Sequence, residues 1–221
     1  MKQQCVIFDM DGVISHTNPH HAKAFGAFFD KYGIPHSEQE FEEHMYGKHN
    51  SYIMTHFFKR PIAGEELLKL EDEKEEMFRE IYKDKVDTIP HYLDFLSELK
   101  SRGFKTAVAT SAPRANLDLI ANALKISDKM DSMLSSEDVT FHKPNPEVYL
   151  KSAECVGVSP SDCVVFEDSF SGVTAGLNAG MKVVGVLSTH TKDQLPVCDF
   201  YINDYSEINV DKITELLNSN S

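Results

Sequence analysis

Four short apolar runs rich in valine and alanine or isoleucine recur along the chain: Cys5-Val6-Ile7-Phe8, Thr106-Ala107-Val108-Ala109, Cys163-Val164-Val165-Phe166 and Val183-Val184-Gly185-Val186. None alternates with polar residues, and a run apolar on both faces suits a parallel strand buried between two layers. Between the later runs lie stretches with helical periodicity, Leu117 to Leu124, Val148 to Val156 and Gly172 to Ala179. Strand alternating with helix predicts an α/β fold with a parallel sheet.

The first two runs break this rhythm. About 95 residues separate Phe8 from Thr106, whereas a crossover with its helix needs only a dozen or more, so the spacing predicts an insertion. Its pattern is helical: Phe25, Phe28, Phe29 and Tyr32 fall on one face, and Leu67, Leu68, Leu70, Met77, Phe78 and Ile81 recur later. The expected division is an α/β core of residues 1–15 and 88–221 and a helical cap of residues 16–87. The last helix before the second run is expected from Pro90 to Lys100, with proline at its start and Gly103 just past its end.

With 221 residues, 41% of them apolar and 26% charged, and with 14 phenylalanines, the chain has the makings of a folded core without staples. A formal net charge of −13 argues against a nucleic-acid partner, which would require a dense basic surface. It does not argue against a small phosphate ligand, because a few local cations or a metal can reverse the field at a site. Cys5, Cys155, Cys163 and Cys198 show no paired metal spacing and read as reduced thiols. With no signal-type stretch after Met1 and no span near twenty apolar residues, the expectation is a cytoplasmic protein without a membrane partner. The tail after Leu217 is expected to fray.

Four polar features follow the predicted strands, at the carboxyl edge where open α/β sheets bind ligands. Phe8-Asp9-Met10-Asp11-Gly12-Val13 ends the first strand with two carboxylates two residues apart, one able to attack phosphorus and the other to move the proton of the leaving or attacking oxygen. A solvated loop or helix cap would read the same. Thr110-Ser111, after the second strand, can hold a phosphate oxygen through a hydroxyl and the first amides of the next helix, or be a plain N-cap. In Lys143-Pro144-Asn145-Pro146 a lysine pinned by prolines can neutralise a phosphoryl group or a carboxylate, though Lys-Pro also marks surface turns. Glu167-Asp168-Ser169 is an acidic pair suited to a hard divalent cation, or a second N-cap. Their shared placement favours phosphoryl transfer over four separate caps.

These same segments, with the continuation Ser169 to Gly180, resemble the four motifs of the haloacid dehalogenase superfamily of phosphatases and phosphomutases. The resemblance spans essentially the whole chain. It implies a Rossmann-like parallel-sheet core with an inserted helical cap, Asp9 as nucleophile and Asp11 as general acid/base. It also implies Mg²⁺ held by Asp9, the Asp11 main-chain carbonyl and Asp168, with Glu167 acting through water. Ser111, the Ala112 amide and Lys143 would hold the phosphoryl group. Within the superfamily the chain looks most like β-phosphoglucomutase and related sugar-phosphate phosphatases, through Asp11-Gly12-Val13-Ile14, Thr17, His21 and Val165 to Ser169. Thr17, His21, Gly47, Lys48, Ala112 and Arg114 are accordingly the expected substrate contacts, with His20 competing with His21.

Three rival classes fit less well. A phospho-receiver module carries its accepting aspartate after a later strand and has no large insert. A dehalogenase would lack Asp11, and a silent binding protein would have lost a motif residue. Between the two enzymatic outcomes, the mutase cap loop has a lysine before its glycine and an arginine three residues after it, where this chain has Tyr46 and Asn50 around Gly47. A mutase must hold a second phosphate, so the expectation is a phosphatase acting on a small phosphorylated metabolite, with β-phosphoglucomutase as the alternative. The expected assembly is a monomer or weak homo-oligomer.

Overall fold

The computed structural model describes residues 2–45 and 50–219. In chain order its elements are β1 (Cys5–Phe8), α1 (Asn18–Lys31), α2 (Glu38–His44), α3 (Asn50–Phe58), α4 (Gly64–Tyr82), α5 (Tyr92–Ser101), β2 (Lys105–Ala109) and α6 (Arg114–Leu124). There follow β3 (Ser132–Leu134), α7 (Glu147–Val156), β4 (Cys163–Glu167), α8 (Phe170–Asn178), β5 (Lys182–Val186), β6 (Phe200–Ile202) and α9 (Val210–Asn218). They form two compact units: the residues up to His16 together with those from Val86 onward, and Thr17–Lys85.

The first unit is built on a six-stranded sheet in the order β3-β2-β1-β4-β5-β6, parallel throughout. This is the strand order of a Rossmann-like sheet, and it places β1 at the point where the order reverses. β1 pairs with β2 from Cys5↔Lys105 to Phe8↔Val108 and with β4 from Cys5↔Cys163 to Phe8↔Phe166. The loops leaving β1, β2 and β4 therefore open side by side.

Successive side chains of a strand point to opposite faces, and the two faces of this sheet are filled differently. On one, Ile7, Ala107, Val165 and Val183 pack against Val148 and Ala153 of α7 and Val173 and Ala175 of α8. On the other, Phe8 lies 5.2 Å from Tyr92 and 5.2 Å from Phe166 between ring centroids, and Tyr205 completes the aromatic layer. Both faces exclude water, which is why these strands carry no polar alternation.

The chain leaves and re-enters this unit at one place. Gly12 N donates to the Ser15 carbonyl at 2.9 Å, Ser15 Oγ to the Asp87 carbonyl at 2.5 Å, and Ile89 N to the Ile14 carbonyl at 3.0 Å.

The second unit is all helical, with a core of Phe25, Phe28, Phe29, Phe41, Met54 and Phe57. Two residues assigned to its apolar faces lie outside that core: Tyr32 is 42% exposed and gives its hydroxyl to Glu73 at 2.8 Å, and Leu68 is 61% exposed. Leu70 and Phe78, of the same set on α4, are buried.

The hydrophobic pattern did not announce β3 and β6. Each has three residues and lies at a sheet edge, and neither is fully buried, so neither produces an apolar run. α5 also starts later than Pro90, because His91 adopts a left-handed φ of 65° and the helix begins after it. No helix among the described residues is long and apolar enough to cross a membrane.

At the amino edge of the sheet, Asp131 ties the entry to β3 to its neighbours. Its carboxylate accepts from Lys100 at 2.7 Å, Lys105 at 2.8 Å and the Thr106 amide at 3.0 Å. Partial burial works against the ionised form, but these donors outweigh it and bring the pKa down to about 2 from 3.8. A carboxyl lowered by folding adds stability above its unfolded pKa and loses it as the pH falls through the folded value. Asp131→Asn should therefore cost about 1 kcal/mol near pH 7, roughly 2–4 °C in Tm. Thermal melts of variant and wild type should converge toward pH 2, and a gap that does not depend on pH would refute the assignment.

Candidate active site

Asp9 follows β1 directly, and its amide donates to the Phe166 carbonyl at 3.0 Å, which locks it beside the end of β4. The residue is 6% exposed. The next residues turn back at once: Ile14 and Ser15 amides donate to the Met10 carbonyl at 2.9 and 3.1 Å. Gly12, at φ +72°, makes that turn, and a Cβ placed there would fall 2.1 Å from Asp168 Oδ2. Only glycine satisfies both the conformation and the close approach.

Lys143 reaches the site from the segment before α7. Its ammonium donates to Asp9 Oδ1 at 2.6 Å, Glu167 Oε1 at 2.7 Å and the Ala109 carbonyl at 3.0 Å, joining the ends of β1, β2 and β4. Glu167 also accepts from the Tyr149 hydroxyl at 2.7 Å on Oε1, and from the Asp168 amide, Ser169 amide and Ser169 Oγ at 3.0, 3.1 and 3.0 Å on Oε2. The carboxylate lies across the start of α8, where a Cβ on Gly172 would come within 1.7 Å of Oε1.

Asp168 is held from the loop after β5. Thr189 Oγ1 donates to its Oδ2, and His190 Nδ1 lies 2.9 Å from its main-chain carbonyl. Ser188 Oγ donates to the Gly12 carbonyl at 2.5 Å.

Asp9, Glu167 and Asp168 offer carboxylate oxygens that all lie within 4.8 Å of one another, the one such buried cluster among the described residues. Three carboxylates face one ammonium, and the electrostatics register the excess. Burial, joined by Glu167 and Asp11 and opposed by Lys143, pushes Asp9 up to about 8. Burial, with Glu167 and Asp9, holds Asp168 well above the usual carboxylate range, against the Thr189 hydrogen bond. Burial acts to lower Lys143, but Asp9 and Glu167 outweigh it and keep the ammonium charged. An all-oxygen donor set with surplus negative charge fits a hard divalent cation.

The other expected residues divide. Asp11 is half-buried on the turn and is not one of the three clustered carboxylates. Ser111 is exposed, whereas Thr110 is buried and its Oγ1 accepts from the Ala112 amide at 3.0 Å. That amide, expected to hold a phosphoryl oxygen, is thus already used by a local turn. Arg114 is also engaged locally. Its guanidinium donates to Asp138 at 2.5 Å and to the Met133 carbonyl at 3.1 Å, which braces the end of β3.

Thr17 is buried at the start of α1. In the helical unit the His21 ring stacks on Phe78 at 3.8 Å and its Nδ1 lies 3.3 Å from Lys74 Nζ, while the His20 ring packs 4.6 Å from Tyr82. Gly47 and Lys48 lie outside the described residues. Tyr149, Ser188, Thr189 and His190 are not among the expected site residues. The last three form a polar triplet just past β5, and the carboxyl-edge rule that picked the other motifs would have found them. Tyr149 carries no such signal, because an aromatic on a helix reads as core.

A family model described as haloacid dehalogenase-like hydrolase matches residues 6–186. Among curated relatives, a phosphorylated carbohydrates phosphatase of Thermotoga maritima is 32% identical over 189 residues, covering 83% of this chain and 85% of that protein. Among solved structures, a HAD hydrolase of family IA, variant 3, from Entamoeba histolytica superposes with a TM-score of 0.91 at 26% identity, covering 99% and 100% of the two chains. A β-phosphoglucomutase from Clostridium difficile gives a TM-score of 0.82 at 26% identity over 98% and 97%.

The raised carboxyl pKa has a sign that can be tested. The folded chain keeps a proton on Asp9 between 3.8 and about 8 that the unfolded chain has shed, so without metal this group weakens folding as pH rises through that window. A divalent cation that needs these groups ionised relieves the repulsion. In chelator-treated protein, the gain in Tm on adding Mg²⁺ should be larger at pH 8.5 than at pH 6; an equal gain at both would count against this cluster as the metal site.

Proposed function

This chain belongs to the haloacid dehalogenase-like hydrolases, and on that premise we propose that it is a Mg²⁺-dependent phosphatase that hydrolyses a small phosphate ester, a sugar phosphate, through a phospho-aspartate at Asp9. Phosphoric monoester hydrolysis is the activity supported by that membership and by the phosphatase-named relative. The observation that carries the reading is the juxtaposition of Asp9, Lys143, Glu167 and Asp168 at the point where the strand order reverses, with Lys143 Nζ 2.6 Å from Asp9 Oδ1. The enzyme is proposed to act in the cytoplasm on a phosphorylated metabolite.

Asp9, Glu167 and Asp168 would hold the cation, which supplies charge neutralisation for an anionic carboxylate approaching an anionic ester. In the first step an Asp9 oxygen forms a bond to phosphorus as the bond to the ester oxygen breaks, and Asp11 gives its proton to the departing alkoxide. In the second, Asp11 takes a proton from water, the water oxygen bonds to phosphorus, and the bond to Asp9 breaks to release inorganic phosphate. One group serves both steps by microscopic reversibility. Lys143 is placed to share the charge that moves from the ester oxygens onto Asp9.

A second reading is supported by the likeness to β-phosphoglucomutase along nearly the whole chain. Mutase action requires cations on the cap for a second phosphate; Tyr46, Gly47 and Lys48 lie outside the described residues, and Asn50, where the mutase has its arginine, opens α3.

Asp9→Asn should leave the fold intact and lower turnover by at least about a thousandfold, as loss of a covalent nucleophile does. Substantial phosphate release by that variant, or by chelated wild type, would overturn the mechanism. Phosphorus NMR of β-glucose 1-phosphate with catalytic glucose 1,6-bisphosphate separates the two readings: inorganic phosphate is the expected product, and glucose 6-phosphate forming faster would establish the mutase. A wild type releasing phosphate from no ester would leave a silent or receiver-like binding role.

A further inference from the structure

Lys143 has no hydrogen left to offer. An ammonium carries three, and here all three are taken by Asp9 Oδ1, the Ala109 carbonyl and Glu167 Oε1. To contact a phosphoryl oxygen, Lys143 must give one of these up. Releasing Asp9 would strip the charge partner from the attacking group. Releasing Ala109 would leave a buried carbonyl of β2 without that donor. Glu167 Oε1 is different, because a second donor already sits on it: the Tyr149 hydroxyl, at the same distance of 2.7 Å.

Tyr149 is placed for this by the chain itself. It is the third residue of α7, fully buried, and its ring lies with Lys143 Nζ 4.8 Å from the centroid. The ring face attracts the ammonium wherever it moves above it, while the hydroxyl is fixed on the carboxylate. Glu167 Oε2 is meanwhile anchored by three donors from the Asp168–Ser169 turn.

We propose that Tyr149 is a positioning residue for phosphoryl binding: its hydroxyl keeps Glu167 Oε1 satisfied and in place, so that Lys143 can exchange its bond to Glu167 for one to a phosphoryl oxygen. This rests on the phosphoryl-transfer reading of the site. Without the hydroxyl, Glu167 depends on Lys143 alone at that oxygen, and the exchange abandons a buried charged acceptor.

The test is Tyr149→Phe, which keeps the ring and removes only the hydroxyl, with Tyr92→Phe as a control that deletes a buried hydroxyl from the opposite face of the sheet. Titration calorimetry of orthophosphate in excess Mg²⁺ should show the dissociation constant of Tyr149→Phe raised roughly three- to tenfold, with KM for a phosphate ester raised in proportion and kcat within about twofold. Tyr92→Phe should leave the phosphate constant unchanged. In a Glu167→Gln background, where Oε1 no longer holds Lys143 by charge, Tyr149→Phe should add less than about twofold. Unchanged orthophosphate affinity in Tyr149→Phe, a loss confined to kcat, or full additivity with Glu167→Gln would each overturn the assignment while leaving the phosphatase reading standing. A wild type that neither binds orthophosphate nor releases it from any ester would bring down both.

Discussion

Carboxylates buried against one another repel, and Asp9, Glu167 and Asp168 have little water to screen them. The ammonium of Lys143 is the interaction that makes this arrangement possible in the protein alone. It bonds two of the three carboxylates and the backbone of a third strand, so it both offsets charge and fixes the distance between the strand ends. Burial, and after it the imbalance of one cation against three anions, raises the pKa of Asp9 and Asp168 and leaves a residual demand for positive charge. The same imbalance that makes the site costly to fold gives it the surplus of oxygen donors and negative charge that suits a hard divalent cation.

The sheet imposes the geometry. β1 has β2 on one side and β4 on the other, in matched register, so residues just past the ends of all three strands meet regardless of how far apart they lie in the chain. Lys143 comes from neither neighbour; it belongs to the connection between β3 and α7, and its reach across the carboxyl edge completes the group. Buttressing comes from farther out. The β5 loop contributes Thr189 to Asp168 and Ser188 to Gly12, so even the strand next to the edge constrains the centre.

How far the amino-acid sequence discloses all this depends on how strongly each part is buried. Strands closed on both faces, such as Val6 to Phe8 and Val164 to Phe166, leave runs with no polar interruption and are legible as strands. Ser132–Leu134 and Phe200–Ile202 are short edge pieces whose pairing is decided by the sheet rather than by their own composition. In the site, Asp9, Lys143, Glu167 and Asp168 are readable because each stands at a strand end or a proline-fixed turn. Arg114 and the Ala112 amide show what is not legible: the residue types suit a phosphate, and their bonds to the nearby acceptors Asp138 and Thr110 are visible only in three dimensions. Tyr149 is hidden for a simpler reason, since its ring is core and only its oxygen belongs to the chemistry.

The bonds that join Ser15 to Asp87 and Ile14 to Ile89 close a seam between the point where the chain departs from β1 and the point where it returns. Everything from Thr17 to Lys85 hangs from that seam as a loop whose ends are already fixed. The entropy of closing such a loop grows only with the logarithm of its length, so the sheet is nearly indifferent to what the loop contains. The seam is in effect a socket. Natural variation or deliberate grafting can exchange the whole helical module without shifting the register of a single strand.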